Sequence, residues 1–280
     1  MAFLTRKCTN QINFKNLCSM VNFMVRKMST NTSAKYLAVF DYDHTIVDAN
    51  TDLVARGLID QNLIPDRVKN LYKSSGWIDY MQEIFKLLYA NNVSKVQIEQ
   101  AIRDIPETPG MIKCFQELQK NQFELVIISD SNSVFIDTWN KGRISEYLTE
   151  IYTNPAHFDD EGRLLIKPYH HQTYCSLSSE NLCKGQIMED FIADRKKNGV
   201  TFNSVFYVGD GRNDICPMLR LSADDFACPR VGYSCEREIE QVARKVEKNI
   251  DFEIYRWNNG NDLLEFMLQS INEASQRQEQ

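Results

Sequence analysis

Three short apolar runs, each closed by a polar or acidic cluster, constrain what this chain can fold into more than any other feature. Residues 36 to 40 (Tyr-Leu-Ala-Val-Phe) lead into Asp41-Tyr42-Asp43-His44-Thr45, residues 123 to 128 lead into Ser129-Asp130, and residues 204 to 208 lead into Gly209-Asp210-Gly211-Arg212-Asn213-Asp214. Continuous rather than alternating hydrophobicity marks strands buried on both faces, as in a parallel sheet covered by helices. Open α/β sheets gather their functional loops beyond the carboxyl ends of their strands. The three polar clusters are therefore expected to share one cleft.

The segments between the runs read as helices. Over residues 51 to 102, Ile78, Met81, Ile84, Phe85 and Leu88 recur at helical spacing, and no strand-like run interrupts them. Pro106 and Pro109-Gly110 mark a return to the sheet, followed by a helix over 111 to 119. A hairpin is expected from the Asp159-Asp160-Glu161-Gly162 turn into residues 164 to 167, and a helix from Lys184 to Lys197. Residues 254 to 268 read as a closing strand or turn and a helix, and the polar residues 272 to 280 are expected to fray. The expected layout is a basic extension (1–34), a core (35–50 and 106–270), a helical insert (51–105) and a polar tail (271–280).

With 32 basic against 38 acidic residues and a formal net charge of -6, a basic nucleic-acid binder is disfavoured. No run approaches the roughly 20 apolar residues of a membrane span, so stable membrane insertion is not expected. Eight scattered cysteines lack the spacing of a secreted disulfide framework and point to a reducing compartment. The expected location is cytoplasmic. The first 35 residues carry Arg6, Lys7, Lys15, Arg26, Lys27 and Lys35 and no acid, which leaves a mitochondrial address as the alternative.

Two carboxylates two residues apart, Asp41 and Asp43, repel at the end of a buried strand unless something neutralises them. Asp210 and Asp214 repeat the pattern after the third run. Hard carboxylate oxygens suit a magnesium ion, Mg2+, which keeps several waters. Ser129 adds a hydroxyl donor and Lys184 a mobile positive charge; both suit a phosphoryl group.

In order and strand-end placement, these residues resemble the four motifs of the haloacid dehalogenase superfamily in its phosphatase branch. The first motif is Asp41 to Thr45, the second centres on Ser129, the third on Lys184, and the fourth spans Gly209 to Asp214. The resemblance narrows to the eukaryotic phosphoethanolamine/phosphocholine phosphatase family, nearest its pyridoxal phosphate branch. It is carried by Thr45-Ile46-Val47-Asp48 with Asn50 and Asp52, Ile128 to Asn132, Asn181 to Gly185, Tyr207 to Gly211, Pro229-Arg230 before Gly232-Tyr233, and Trp257, Gly260, Asp262, Leu263 and Leu264.

The resemblance implies a Rossmann-like parallel sheet of the haloacid dehalogenase type, with the helical insert as a small cap after the first strand. It implies a magnesium-dependent hydrolase of a small-molecule phosphomonoester, working through an aspartyl-phosphate. Asp41 would be the nucleophile, Asp43 the acid and base, and Lys184 the balancing cation. Thr45, Ser129 and Lys184 would bind phosphate. Asp41, the Asp43 carbonyl and Asp210 would hold the metal, with Asp214 supporting them. Asp52 and Asp130 are candidates for recognising a cationic head group. Pyridoxal 5'-phosphate is the leading substrate, with Tyr72, Trp77, Tyr80 and Phe85 available to stack on its ring; phosphoethanolamine and phosphocholine are the alternative. A phosphotransferase and a noncatalytic scaffold are further alternatives.

His170, His171, Cys175 and Cys183 offer imidazole and thiolate ligands for zinc, although their spacing is not diagnostic. The competing reading gives them structural roles. Cys216 and Cys228 follow the fourth motif and are expected to be buried.

Overall fold

The computed structural model describes residues 36–74 and 76–278; the basic extension expected over 1–34 lies outside them. A six-stranded parallel sheet forms the centre, in the order β3-β2-β1-β6-β7-β8. Its strands are β1 (Tyr36–Phe40), β2 (Phe123–Asn132), β3 (Glu150–Asn154), β6 (Ser204–Gly209), β7 (Phe226–Pro229) and β8 (Glu253–Ile254). A separate antiparallel hairpin pairs β4 (Ala156–Phe158) with β5 (Leu164–Ile166), as the Asp159 turn predicted.

Alternate side chains of β1 enter opposite halves of the core. Tyr36, Ala38 and Phe40 join one buried cluster with Met111, Phe115, Phe135 and Leu263, while Leu37 and Val39 join another with Ile187, Phe191, Ile215 and Ile239. Two-sided burial is the reason for the continuous apolar run. The first cluster is closed by α6 (Met111–Lys120), α7 (Ser133–Asn140) and α11 (Gly260–Gln278), and the second by α8 (Lys184–Lys197), α9 (Ile215–Met218) and α10 (Ser234–Lys245).

Between β1 and β2 the chain is helical: α1 (Thr51–Arg56), α2 (Asp66–Lys69), α3 (Leu71–Ser74), α4 (Trp77–Ala90) and α5 (Lys95–Arg103). The helix starts follow local chemistry. Asn50 caps α1 by accepting from the Leu53 amide, and Ser94 with Gln97 forms a capping box on α5. In α4, Met81, Ile84, Phe85 and Leu88 are buried at the expected spacing.

Two expectations need correction. Among the described residues the tail does not fray: α11 runs to Gln278, and Ile271 is buried on its inner face, extending the apolar stripe past Met267. The second strand also outruns its apolar stretch. It continues through Asn132 with a register shift between Ser129 and Asn132, and the Asn132 side chain then caps α7 by accepting from the Phe135 amide.

The strand order reverses at β1. The chain moves outward through β2 and β3, returns to β6 on the other side of β1, and moves outward again. Asp41 and Asp210 follow the two strands that flank this switch point, where α/β sheets open a crevice.

Candidate active site

Asp41 is fixed at the end of β1 by its own amide, which donates to the Val208 carbonyl of β6 at 2.9 Å. Lys184, the first residue of α8, reaches into the same crevice. Its ammonium lies 2.7 Å from Asp41 Oδ1 and 2.7 Å from Asp214 Oδ1. The expectation of a mobile cation is thus corrected: Lys184 is 1% exposed and held between two carboxylates. Burial alone would depress its pKa, but Asp214 and Asp41 outweigh burial and hold it above the ordinary lysine value.

Asp214 accepts four hydrogen bonds. Lys184 and the Tyr207 hydroxyl donate to Oδ1, at 2.7 and 2.9 Å, and the Asp210 and Gly211 amides donate to Oδ2, at 3.0 and 2.8 Å. This close fit explains Gly209: a Cβ there would stand 2.4 Å from Asp214 Cγ. Asp210 is poorer in donors. Among the described residues its carboxylate receives a hydrogen bond from Thr45 Oγ1, at 3.4 Å.

Asp41, Asp210 and Asp214 each offer an oxygen, and these oxygens lie within 4.8 Å of one another. With all three ionised, Lys184 offsets one of three negative charges. Burial, and then the charge of Asp214, pushes Asp41 up to about 7 despite Lys184. Burial, and then Asp41 and Asp214, pushes Asp210 up to about 9. An uncompensated pair of charges among hard oxygens fits a divalent cation of the magnesium type. Since both Asp214 oxygens already take two donors, Asp41 and Asp210 have the freer lone pairs.

Asp43 sits two residues beyond Asp41. Thr51 binds both its oxygens, through its amide at 3.0 Å and its hydroxyl at 3.3 Å, and that hydroxyl lies 2.7 Å from Ser131 Oγ. Burial, and then the Asp52 charge, raises the Asp43 pKa well above the carboxylate range. Such a group retains a proton it can give away. Ser129 is buried at the end of the apolar part of β2, and its Oγ accepts from the Ser131 amide at 3.1 Å, so its hydroxyl proton stays available.

The loop bearing Asp43 is clamped from across the sheet. Arg230 donates to the His44 carbonyl, to Asp48 Oδ1 at 2.9 Å and to Thr108 Oγ1 at 3.4 Å. His44 has φ = 54°, a left-handed conformation unfavourable for a side chain with a Cβ. The Arg230 bond to its carbonyl helps hold that turn.

Asp52 and Asp130 are held at the edge of the site. Trp77 Nε1 donates to Asp52 Oδ2 at 2.6 Å, while Asp52 Oδ1 is buried with no partner among the described residues. Burial pushes Asp52 up to about 7. Asp130 accepts from Asn181 at 3.1 Å and from Asn213 at 2.6 Å. Beside them a cleft of ≈ 560 Å³ opens between the helical insert and the loop before α8, lined by Tyr72, Trp77, Ile78, Pro168 and Asn181 among others. Of the four aromatic side chains expected to stack on a flat ligand, Tyr72 and Trp77 face this cleft. Tyr80 and Phe85 are buried; Phe85 packs edge-on against Phe135 in the core. A second cleft, of ≈ 510 Å³, lies at the amino ends of β6, β7 and β8 and holds none of these acids.

Ser131, Tyr207, Asn213 and Arg230 stood within the similar strings and motifs with no role attached, Trp77 was expected to stack on a ligand, and Thr51 was not singled out. The grouping of His170, His171, Cys175 and Cys183 does not form: His170 Nε2 accepts from the Cys183 amide at 2.9 Å, and exposed His171 faces Glu180. Among the described residues no helix is long and apolar enough to cross a membrane.

A parallel sheet with a buried triad of aspartates and a lysine at its switch point defines a phosphatase of the haloacid dehalogenase type, a class that hydrolyses phosphomonoesters with magnesium through an aspartyl-phosphate. The fold agrees with that of a substrate-bound phosphoserine phosphatase, with a TM-score of 0.55 at 18% identity over 83% of this chain and 98% of that one. A family model described as Putative Phosphatase matches residues 36–271. Human pyridoxal phosphate phosphatase PHOSPHO2 is 33% identical over 82% of this chain and 96% of its own length. Human phosphoethanolamine/phosphocholine phosphatase is 32% identical over 85% and 90%. The chain belongs to the eukaryotic phosphatase family that contains these two enzymes.

Proposed function

We propose that the protein hydrolyses pyridoxal 5'-phosphate, with Asp41 as nucleophile and Asp43 as acid and base. The observation that carries the catalytic reading is the 2.7 Å bridge from Lys184 to both Asp41 and Asp214, beside Asp210. It orients one Asp41 oxygen, and an Asp41 oxygen would attack phosphorus.

In the first displacement an Asp41 oxygen forms a bond to phosphorus as the ester P–O bond breaks, and Asp43 gives its proton to the departing alcohol oxygen. In the second, Asp43 takes a proton from water, whose oxygen attacks phosphorus and releases Asp41 and inorganic phosphate. Lys184 offsets charge on the attacked group, and the Thr45 and Ser129 hydroxyls donate to its oxygens. Asp41 and Asp210, with the Asp43 carbonyl, would hold magnesium, and Asp214 would steady Lys184 and the β6 turn. When bound, the metal supplies charge neutralisation between two anions.

Substrate choice falls to the helical insert (51–105), acting as a cap that excludes water over the crevice. The cleft beside Trp77 and Tyr72 supports a flat aromatic leaving group. A second reading, a phosphorylated amine such as phosphoethanolamine or phosphocholine, is favoured by the unpartnered Asp52 Oδ1 and nearby Asp130, both suited to a cationic head.

Steady-state phosphate release across pyridoxal phosphate, phosphoethanolamine, phosphocholine and sugar phosphates separates these readings. The proposal expects kcat/KM for pyridoxal phosphate to lead by about 100-fold, roughly 2.7 kcal/mol of differential transition-state binding. A lead for the phosphorylated amines would transfer the assignment to the second reading.

A further inference from the structure

We infer that Cys175, Cys183 and Cys216 form a zinc-binding site, a group distinct from the carboxylate centre, with Cys183 directly before Lys184 in the chain. This assignment does not rest on the phosphatase substrate.

The three thiols come from three different places in the fold: Cys175 from the loop before α8, Cys183 from the cap position of α8, and Cys216 from the first turn of α9. Their sulfurs lie within 4.8 Å of one another, with Cys175 to Cys216 at 3.4 Å and Cys183 to Cys216 at 3.8 Å. Ser178 Oγ closes the group, 3.5 Å from Cys175 Sγ and 3.3 Å from Cys183 Sγ. Tetrahedral zinc with sulfurs at about 2.3 Å and an oxygen at about 2.0 Å requires S···S edges of about 3.8 Å and O···S edges of about 3.5 Å. These four edges fall within about 0.4 Å of this set, and the Cys175 and Cys183 sulfurs lie within 4.8 Å of each other. Three thiolates and the Ser178 hydroxyl, or a water in its place, complete four ligands.

The surroundings are built to bring these groups together. Gln172, 3% exposed, organises the loop by accepting from the Cys175 amide and donating to the Cys175, Ser178 and Ser179 carbonyls. Gly185 permits the close approach of α8, since a Cβ there would lie 2.8 Å from Cys216 Sγ and 2.5 Å from Arg220 Nε. Arg220 Nη2 stands 3.7 Å from Cys183 Sγ. Its positive charge suits a centre of three thiolates on one divalent ion, which carries a net negative charge. The guanidinium also pairs through Nη1 with Glu189, so Arg220 borders the thiols and is held there by an acid of α8; a disulfide needs two sulfurs rather than three.

Zinc at this position ties the loop carrying Asn181, which holds Asp130, to the first turn of α8, which carries Lys184. Its role is to position these groups; no reacting atom touches it.

The test uses the full chain, purified under reducing conditions, given Zn2+ with Mg2+ in excess, and freed of loose ions. Elemental analysis is expected to find about one zinc per chain, and Co2+ in its place to give sulfur-to-cobalt charge-transfer absorption, which carboxylates do not produce. Cys175→Ser, at a half-exposed loop position, is expected to weaken zinc by at least about 100-fold, above the loss typical for an outer partner of a metal ligand. His171→Ala is expected to leave zinc unchanged. A wild-type chain with no zinc and three freely titrating thiols overturns the site. So does a Cys175–Cys216 disulfide in metal-loaded protein, or full zinc retention by Cys175→Ser.

Discussion

The Tyr207 hydroxyl donates to Asp214 Oδ1 at 2.9 Å from inside β6, on the oxygen that Lys184 also grips. Burial, and then the Asp214 charge, keeps this phenol protonated well above its usual range, so it remains a donor throughout the working pH. Tyr207→Phe removes one of four donors and is expected to cost about 1–2 kcal/mol of stability with a modest loss of kcat. Asp214→Asn strips the buried Lys184 of a counter-charge and turns an amide NH2 towards groups that are themselves donors. It is expected to cost about 3–5 kcal/mol and to abolish turnover. Denaturant titration with parallel kinetics checks both; equal effects of the two substitutions would contradict this reading.

Arg230 holds the loop that follows Asp43, through His44 and Asp48. Arg230→Ala leaves Asp48 and the His44 carbonyl without their donor and is expected to lower kcat by about 10–100-fold, comparable to other positioning partners. Arg230→Lys should restore little, because an ammonium cannot serve the His44, Asp48 and Thr108 oxygens as a planar fork does. The check is a kcat and KM comparison on variants matched by circular dichroism. Full recovery by lysine would mean that charge alone matters there.

Asp52 makes stability depend on pH in a direction opposite to that of a salt-bridged acid. Its carboxyl is pushed from 3.8 to about 7 by burial, so the folded state holds a proton that the unfolded state has released. Stability from this group is full at low pH and is lost as pH rises from about 4 to 7, by on the order of 4 kcal/mol at most. Asp52→Asn does not titrate and keeps an oxygen for Trp77. The melting-temperature advantage of the variant over the wild type is therefore expected to grow between pH 4 and pH 7 and then level off. A constant difference would contradict a buried neutral acid at residue 52.

Magnesium binding should strengthen with pH. Without metal, Asp41 is raised to about 7 by burial and then Asp214, and Asp210 to about 9 by burial and then Asp41 and Asp214, so an incoming cation must displace the protons they hold. Isothermal titration between pH 6 and 9 is expected to show a falling Kd for Mg2+ and proton release into the buffer. A pH-independent Kd without proton release would mean that these acids are not the ligands.

The sheet was legible because burial on both faces leaves an unbroken apolar run, as in β1 and β6, and because strand-end acids such as Asp41 and Asp210 have little structural reason to follow such runs. Other parts of the site depend on contacts between distant residues. Trp77 and Asp52 are 25 positions apart and meet through a hydrogen bond across two helices of the insert. Tyr207 reads as one more apolar strand residue, and its hydroxyl acquires meaning when Asp214 turns back beneath it. Similarly, residue type suggested His170 and His171 as partners for Cys175 and Cys183, whereas the fold brings Cys216 there from beyond β6. The tail misled by its polar composition: Ile271 is an isolated apolar residue in sequence, yet it falls on the buried stripe of α11.

The most direct test of the account is to find the phosphoryl group on residue 41. Wild-type enzyme mixed with substrate and Mg2+ is quenched in acid, and the acyl phosphate is reduced with borohydride before peptide mapping. A reduced side chain is expected at Asp41 in the wild type, and neither label nor phosphate release in a folded Asp41→Asn variant. Label on another residue, or turnover by that variant, would contradict Asp41 as the nucleophile.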